Sequence, residues 1–218
     1  MIVVKDLCIR QGEFVLEKVN LSVATGQYAI LMGRTGSGKT TILESICGLR
    51  PVSSGCITLM DRDVTTLKPA ERGIGFVPQD GALFPTMSVR DQLGFALTIR
   101  KWSRSRIEKR VTELSDLLGI GELLDRGTEG LSGGEVQRIS LGRALAANPG
   151  VLCLDEPLSA LDETTRHEMY SLLNSVRELT GVTTLHITHS KNEALKLANV
   201  VYRIENGTVG EVPVGELG

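Results

Sequence analysis

The 218-residue chain is 41% hydrophobic and carries 24 Lys and Arg against 26 Asp and Glu, a formal net charge of −2. A chain of this length buries a substantial core, as one large domain or a core with a subdomain, without disulfide staples. The near balance of charge supplies no global field for nucleic acid or an acidic membrane, so either partner would need a local patch.

At the N-terminus, Met1-Ile2-Val3-Val4-Lys5-Asp6 sets charges at positions 5 and 6, where a signal peptide needs an unbroken apolar stretch, and no secretion signal is expected. Short apolar runs broken at Gln11-Gly12-Glu13 and Thr25-Gly26-Gln27 predict a hairpin followed by a buried strand over 28–32. A glycine-rich loop at 33–38 leads into a helix from 39 to about 48, and short strands follow at 56–60 and 75–79. From about 88 to 148 the pattern is helical, with helices over 89–102, 103–119 and 132–148, the second capped by Ser103. Strands return at 151–154 and 183–188 around an amphipathic helix over 162–179, and a last pairing is expected near 200–204 and 208–209. Strands alternating with helices predict an α/β fold with a mostly parallel sheet covered on both faces, in agreement with the continuous apolar run at 151–154.

No window approaches the ~20 consecutive apolar residues of a membrane helix, the longest candidates being 28–32 and 151–154. A role in transport would therefore require another chain to span the bilayer. Cys8, Cys47, Cys56 and Cys153 form no C-x-x-C pair and lie in or beside apolar runs, so they are expected as buried, reduced thiols and not as metal ligands.

Three segments carry chemistry. Gly33-Arg34-Thr35-Gly36-Ser37-Gly38-Lys39-Thr40 fits G-x-x-x-x-G-K-[ST], between a strand and a helix, the context that motif requires. Its glycines let the backbone curl so that amide groups point inward, and the helix N-terminus adds its positive dipole end, which together make an anion cradle. In such a cradle Lys39 reaches the β- and γ-phosphates of a nucleotide and Thr40 ligates Mg²⁺ through its hydroxyl; Thr41 joins the nucleotide-contacting set. Asp155 and Glu156 end the apolar strand, and two adjacent carboxylates can divide labour. Asp155 would hold the Mg²⁺ shell while Glu156 orients and deprotonates a water. Alone, such a pair reads as a solvated loop start. Leu131-Ser132-Gly133-Gly134-Glu135-Val136-Gln137 opens a helix whose amides and hydroxyl could bind another phosphate, although in isolation it reads as a cap with a flexible lead-in.

Taken in order along the chain, these segments resemble the nucleotide-binding subunit of ATP-binding cassette (ABC) transporters, and the resemblance spans almost the whole sequence. It implies an α/β fold with a P-loop NTPase core, a mostly parallel sheet, an antiparallel β subdomain and an inserted α-helical subdomain. The implied organisation is one domain over 1–218, with the nucleotide-binding core in 1–80 and 150–218 and the helical subdomain in 81–149. ATP and Mg²⁺ are the implied cofactors. Ser132, Gly133, Gly134 and Glu135 would bind the γ-phosphate held by the phosphate loop of a second copy or a homologous ATPase, with Asp162 of the following Pro157-Leu158-Ser159-Ala160-Leu161-Asp162 loop contacting that neighbour. Gln79, in Phe76-Val77-Pro78-Gln79-Asp80, matches the family's glutamine loop and would contact Mg²⁺ or the lytic water. His189 matches the switch histidine near the γ-phosphate, whereas His186 and His167 lack that context and read as structural or exposed.

The sequence also departs from the family pattern. Gln11 stands where an aromatic residue commonly stacks on adenine, with Phe14 nearby as a substitute; Glu135 and Val136 replace the commoner glutamines, and Ser190 replaces an aspartate. The implied function is an ATPase at the cytoplasmic face of the cell membrane, working with transmembrane permease subunits and an extracytoplasmic solute-binding protein, and with no nucleic acid. The segment 73–89 looks like bacterial or archaeal importers of inorganic oxyanions such as molybdate and tungstate. Only residues 190–218 follow His189, so the C-terminal regulatory domain common in that group is expected to be absent. The alternatives are an export or lipoprotein-release ATPase, and a DNA-maintenance ATPase. The latter would need a long coiled coil where the interval 40–131 holds a compact unit. Arg100, Lys101, Arg104, Arg106, Lys109 and Arg110 read as a solvated helix face.

Overall fold

The computed structural model describes residues 1–205 and 207–216. The chain opens with β1 (Ile2–Gln11) and β2 (Phe14–Val23), joined through Gly12, whose φ of +57° suits the tight turn between them. Alternate residues of both strands, among them Ile2, Val4, Leu7 and Ile9 opposite Leu16, Val19, Leu21 and Val23, are buried on one face. With β4 (Ser54–Leu59) and the two-residue β5 (Arg62–Asp63) they form an antiparallel sheet of order β2-β1-β4-β5.

The second sheet contains β3 (Tyr28–Gly33), β6 (Ile74–Val77), β7 (Val151–Asp155), β8 (Thr183–Thr188), β9 (Val200–Glu205) and β10 (Thr208–Val212), in the order β10-β9-β3-β8-β7-β6. All neighbours are parallel except the β9–β10 hairpin. Every residue of β7 and β8 is buried, as a strand covered on both faces requires. Alternate residues divide between two cores. Ala29, Leu31, Val151, Cys153, Leu185 and Ile187 face the antiparallel sheet and α1 (Lys39–Cys47). Tyr28, Ile30, Met32, Leu152 and Leu154 face the helices α2 (Val89–Ile99), α3 (Arg104–Leu118), α4 (Gly133–Leu145) and α5 (Glu163–Thr180).

Ser88, Ser103, Ser132 and Asp162 cap α2 to α5 by accepting a backbone N–H from the first turn, each such cap being worth about 1 kcal/mol. The helix expected over 89–102 stops at Ile99, because Lys101 turns into φ +57° and Trp102 N closes back on Leu97 O at 3.1 Å. The strand expected over 75–79 ends at Val77, which leaves Gln79 in a turn. A further helix, α6 (Lys191–Leu197), lies where the sequence reading has none. Cys47 and Cys153 are buried thiols, but Cys8 and Cys56 are half-buried on the outer faces of β1 and β4, a correction to the expectation for all four. Among the described residues no helix is long and apolar enough to cross a membrane.

The order β3-β8-β7 has a direct consequence for the site. Three parallel strands that are far apart in sequence end side by side, and their carboxyl-terminal loops, beginning at Gly33, Glu156 and His189, emerge at one edge, the usual place for a ligand site in such sheets.

Candidate nucleotide site

Those loops enclose a cleft of about 460 Å³ lined by Gln11, Phe14, Thr35, Gly36, Gly38, Lys39, Thr40, Thr41, Gln79, Glu156 and His189. The phosphate loop takes its shape from Gly36 and Gly38, at φ +78° and +102°. A side chain at Gly38 would be strained by that backbone and would also collide with Phe14, since a Cβ there would lie 2.7 Å from Phe14 Cζ. Lys39 is buried and its Nζ folds back to donate to Gly33 O at 2.9 Å and Arg34 O at 3.1 Å. Ser37 Oγ is buried with no hydrogen-bond partner. The Lys39 ammonium at the positive end of α1, with the glycine backbone of the loop around it, forms a donor-rich cradle that fits a polyphosphate.

Glu156 is the centre of the charged groups. Its backbone sits at φ +44°, a left-handed conformation that costs a non-glycine residue on the order of 1–3 kcal/mol and recurs at functional sites. That turn aims its carboxylate back over the loop, with Oε2 3.0 Å from His189 Nδ1 and Oε1 3.9 Å from Lys39 Nζ. Asp155 Oδ1 accepts from Thr40 Oγ1 at 3.3 Å. Burial pushes the Asp155 carboxyl above its ordinary range; Thr40 and Lys39 offset this, while Glu156 and Glu44 add to it. The Thr40 hydroxyl and Asp155 carboxylate form a hard oxygen pair, and Gln79 shares the wall of the cleft with Thr40. No cluster of three or more His, Cys, Asp and Glu ligands exists among the described residues. The donor set therefore fits Mg²⁺ held jointly with phosphate oxygens and water, not an all-protein metal site.

The structure does not bring the remaining expected residues into this cleft. Arg34 and Ser37 line an adjoining depression with Gly33, His189 and Arg203. Ser132, Gly133, Gly134 and Glu135 begin α4, where they meet the start of α5: a Cβ on Gly133 would lie 3.4 Å from Leu161, and one on Gly134 2.6 Å from Thr165. Asp162 is engaged there too, accepting from Thr165 N at 3.0 Å and Thr165 Oγ1 at 2.6 Å. Glu135 has a clear local role, because Ser132 N donates to its carboxylate at 2.6 Å while Glu135 N donates to Ser132 Oγ at 3.3 Å, a capping box. These Ser132 hydrogen bonds hold the Glu135 carboxyl below its ordinary range. Ser132 Oγ accepts from Glu135 N, and its hydroxyl faces the Glu135 carboxylate.

Two residues to which the sequence reading assigns no role hold the Gln79 turn. Gln137 Nε2 donates to Gln79 O at 3.1 Å, and Arg143 donates to Gly81 O and Ala82 O at 3.0 and 2.8 Å. Both lie on α4, so the turn after β6 is fastened to the helix that begins with Ser132. No local pattern announces a contact across 58 residues. At the rim of the cleft, Gln11 Oε1 accepts from Arg50, which also pairs with Glu44. Part of the basic cluster is likewise used internally: Arg110 donates to Leu145 O and Ala146 O, and Arg106 stacks 3.5 Å over the Trp102 ring. His186 is buried and His167 exposed.

Comparison with known proteins bears directly on this cleft. Residues 16–159, which include the phosphate loop, the Leu-Ser-Gly-Gly segment and the Asp155-Glu156 pair, match the family described as ABC transporter. The chain belongs to the ABC transporter family. Among its relatives, the molybdate/tungstate import ATP-binding protein of Thermococcus kodakarensis is 44% identical over 206 residues, covering 94% of this chain and 62% of that protein. The sulfate/thiosulfate import ATP-binding protein of Mycobacterium bovis is 42% identical over 97% of this chain and 60% of its own length. The maltose/maltodextrin import ATP-binding protein of Vibrio parahaemolyticus is 34% identical over 97% and 57%. This ABC chain thus spans about 60% of the length of the curated relatives it matches. A solved ATP-binding cassette, a dimer in a post-hydrolysis state bound to ADP and Pi, superposes with a TM-score of 0.85 at 28% identity, covering 98% of this chain and 99% of that one.

Proposed function

We propose that the chain is the ATP-binding and ATP-hydrolysing subunit of a membrane importer, acting peripherally at the cytoplasmic face with transmembrane permease subunits and a solute-binding protein. The observation that carries this reading is the convergence of Lys39, Glu156 and His189 on one cleft, with the Glu156 carboxylate 3.0 Å from His189 and 3.9 Å from Lys39. The import systems named for the relatives support the direction of transport, and the dimeric, ADP- and Pi-bound cassette supports action as a pair of ATPases.

In this reading ATP enters with its phosphates over Gly36–Thr41, and Lys39 leaves the carbonyls of Gly33 and Arg34 to meet the β- and γ-phosphates. Thr40, Asp155 and Gln79 hold Mg²⁺, which when bound neutralises charge on the phosphate oxygens. Glu156 orients the attacking water and takes its proton as the bond to the γ-phosphorus forms and the bridging bond to ADP breaks. His189 fixes the Glu156 carboxylate and donates toward the γ-phosphate. Ser132, Gly133, Gly134 and Glu135 complete the site of a second copy, with Asp162 beside them, and Phe14 offers the apolar face for the base that Gln11 cannot. The unit of residues 81–149 moves with the Gln79 turn and passes closure to the permease.

The transported solute is proposed to be an inorganic oxyanion of the molybdate or tungstate type, supported by the 44% identical relative and by the segment 73–89. Phosphate release by the purified chain with MgATP tests the hydrolytic reading; a chain as inactive as its Lys39→Ala variant would refute it. That variant should lose on the order of 3 kcal/mol of transition-state stabilisation, as when one preorganised donor is removed. Reconstitution with the permease tests the solute: uptake of maltose or sulfate but not of molybdate would refute the oxyanion assignment.

A further inference from the structure

Behind the cleft, a line of polar side chains crosses a region otherwise filled by apolar ones. Tyr28 on β3, His186 on β8 and Glu193 on α6 are 1%, 0% and 3% exposed. Tyr28 Oη lies 2.9 Å from His186 Nδ1, and His186 Nε2 lies 3.3 Å from Glu193 Oε2. Neither Nε2 nor Oε2 has another polar partner. With the phenol donating to Nδ1, the imidazole presents an Nε2–H to the Glu193 carboxylate. Burial raises the Glu193 pKa, but the hydrogen bond and charge of His186, the Thr188 hydroxyl and the Arg166 charge outweigh it and hold the carboxyl below its ordinary range. Burial and the Glu193 charge push the Tyr28 phenol well above its own. Buried charge of this kind adds little stability over apolar residues of the same shape, so its presence calls for another explanation.

Its place in the chain supplies one. His186 lies on β8 three residues before His189, and Glu193 is the third residue of α6. Ser190 N donates to Thr188 Oγ1 at 3.0 Å, and Glu193 N donates to Ser190 Oγ at 3.4 Å. The turn that carries His189 is therefore held by Thr188 before it and by the Glu193 backbone N–H after it, although the His189 side chain itself is 62% exposed and, among the described residues, hydrogen-bonds to Glu156 alone. On α5, Arg166 donates to Leu158 O and Leu161 O. The charge that acts on Glu193 thus also fastens the loop after Glu156.

We propose that Glu193 is a positioning residue for the reaction: held by His186 and set against Arg166, it fixes the His189 turn so that the imidazole meets the Glu156 carboxylate. This rests on the hydrolytic reading above. Glu193 touches no reacting atom, and its effect passes through His189.

The test uses the full chain, its Glu193→Gln variant, which keeps the volume and removes the charge, and Glu193→Asp, which keeps the charge. Turnover of MgATP is measured together with nitrogen-15 NMR of the histidine side chains without nucleotide. Glu193→Gln should lower kcat about tenfold, as loss of a supporting partner does, with KM for ATP changed less than about twofold, and should shift or broaden the His189 resonances. Glu193→Asp should recover part of both. In the wild-type chain His186 should show the Nε2-protonated tautomer, a readout that requires no variant to fold. An Nδ1-protonated His186, unmoved His189 resonances, or a loss confined to melting temperature with kcat intact would each overturn the proposal. Absence of phosphate release from the wild-type chain would overturn the hydrolytic reading alone, because the NMR comparison reports on the His189 turn without catalysis.

Discussion

Arg72 shows how the fold holds the phosphate loop from behind. Its guanidinium is buried and donates to Ser45 O and Ile46 O at 2.8 Å, Leu67 O at 2.9 Å and Thr65 O at 3.0 Å. Two of these acceptors are last-turn carbonyls of α1, of which Ser45 O also accepts from the Gly48 N–H at 3.1 Å. Gly48, at φ +79°, keeps the helix end open to the guanidinium: a Cβ there would lie 2.5 Å from Arg72 Nε. Arg72→Met keeps a long unbranched chain and removes every donor. Hydrogen bonds to a charged group are worth about 1.5–3 kcal/mol each net, so the four together set an upper bound on the order of 6–12 kcal/mol. Two effects reduce it. The variant no longer desolvates a guanidinium, a penalty of several kcal/mol, and the depression lined by Gly48, Thr65 and Leu67 lets water reach the freed carbonyls. A net loss of about 2–4 kcal/mol remains, which at a urea m-value of roughly 2 kcal/mol/M is a midpoint lower by about 1–2 M. Urea unfolding followed by circular dichroism, with the single Trp102 as a second probe, measures it. A midpoint shift under about 0.3 M with an unchanged m-value would refute the assignment of Arg72 as the clamp on α1.

Glu156→Gln should bind ATP with near wild-type affinity yet release almost no phosphate, and size-exclusion chromatography with MgATP should show a trapped dimer; near-normal phosphate release would remove Glu156 from its role. Asp155 predicts a pH effect. Its folded pKa is raised, so the ionised carboxylate penalises the folded state above that pKa, and the penalty fades as pH falls toward the unfolded value. Asp155→Asn should therefore raise the melting temperature of the nucleotide-free chain at pH 7, with a gain that shrinks through the acid carboxylate range; a destabilised variant at pH 7 would contradict this. Gly134→Ala places a Cβ 2.6 Å from Thr165 Cγ2 and should cost about 1–3 kcal/mol by overpacking, and adding Thr165→Ser, which removes that methyl, should restore most of the loss in a thermal melt.

How legible this site is depends on how its parts are distributed. The phosphate loop was readable because its chemistry needs a contiguous strand, glycine turn and helix, and the Asp155-Glu156 pair because it ends a wholly apolar strand. Their meeting with His189 depends on β8 inserting between β3 and β7, an order that no run of residues encodes. No local pattern assigns a role to Gln137 or Arg143 for the same reason, since the groups they hold are backbone carbonyls of a distant turn. Glu135 is legible locally: Ser-x-x-Glu before a helix is a capping-box pattern, sufficient to explain why a carboxylate stands there. The α6 helix is too short for a periodic signal, and only Ser190 with Glu193 three residues on marks its start.

The charged groups of the cleft are mutually satisfied: Lys39 on the Gly33 and Arg34 carbonyls, Thr40 on Asp155, His189 on Glu156. A nucleotide must exchange each of these contacts for a phosphate contact, so the net gain on binding is smaller than the number of its hydrogen bonds suggests. The start of α4 is in the opposite condition. The first-turn amides of Gly133 and Gly134 have no acceptor within their helix, yet these groups lie outside the chain's own cleft. The phosphate loop holds the nucleotide of its own copy, whereas the start of α4 has donors and no phosphate. Joining two copies supplies each surface with what it lacks, which is the physical reason for a nucleotide to stabilise a dimer in the proposed reading, and for hydrolysis to release it.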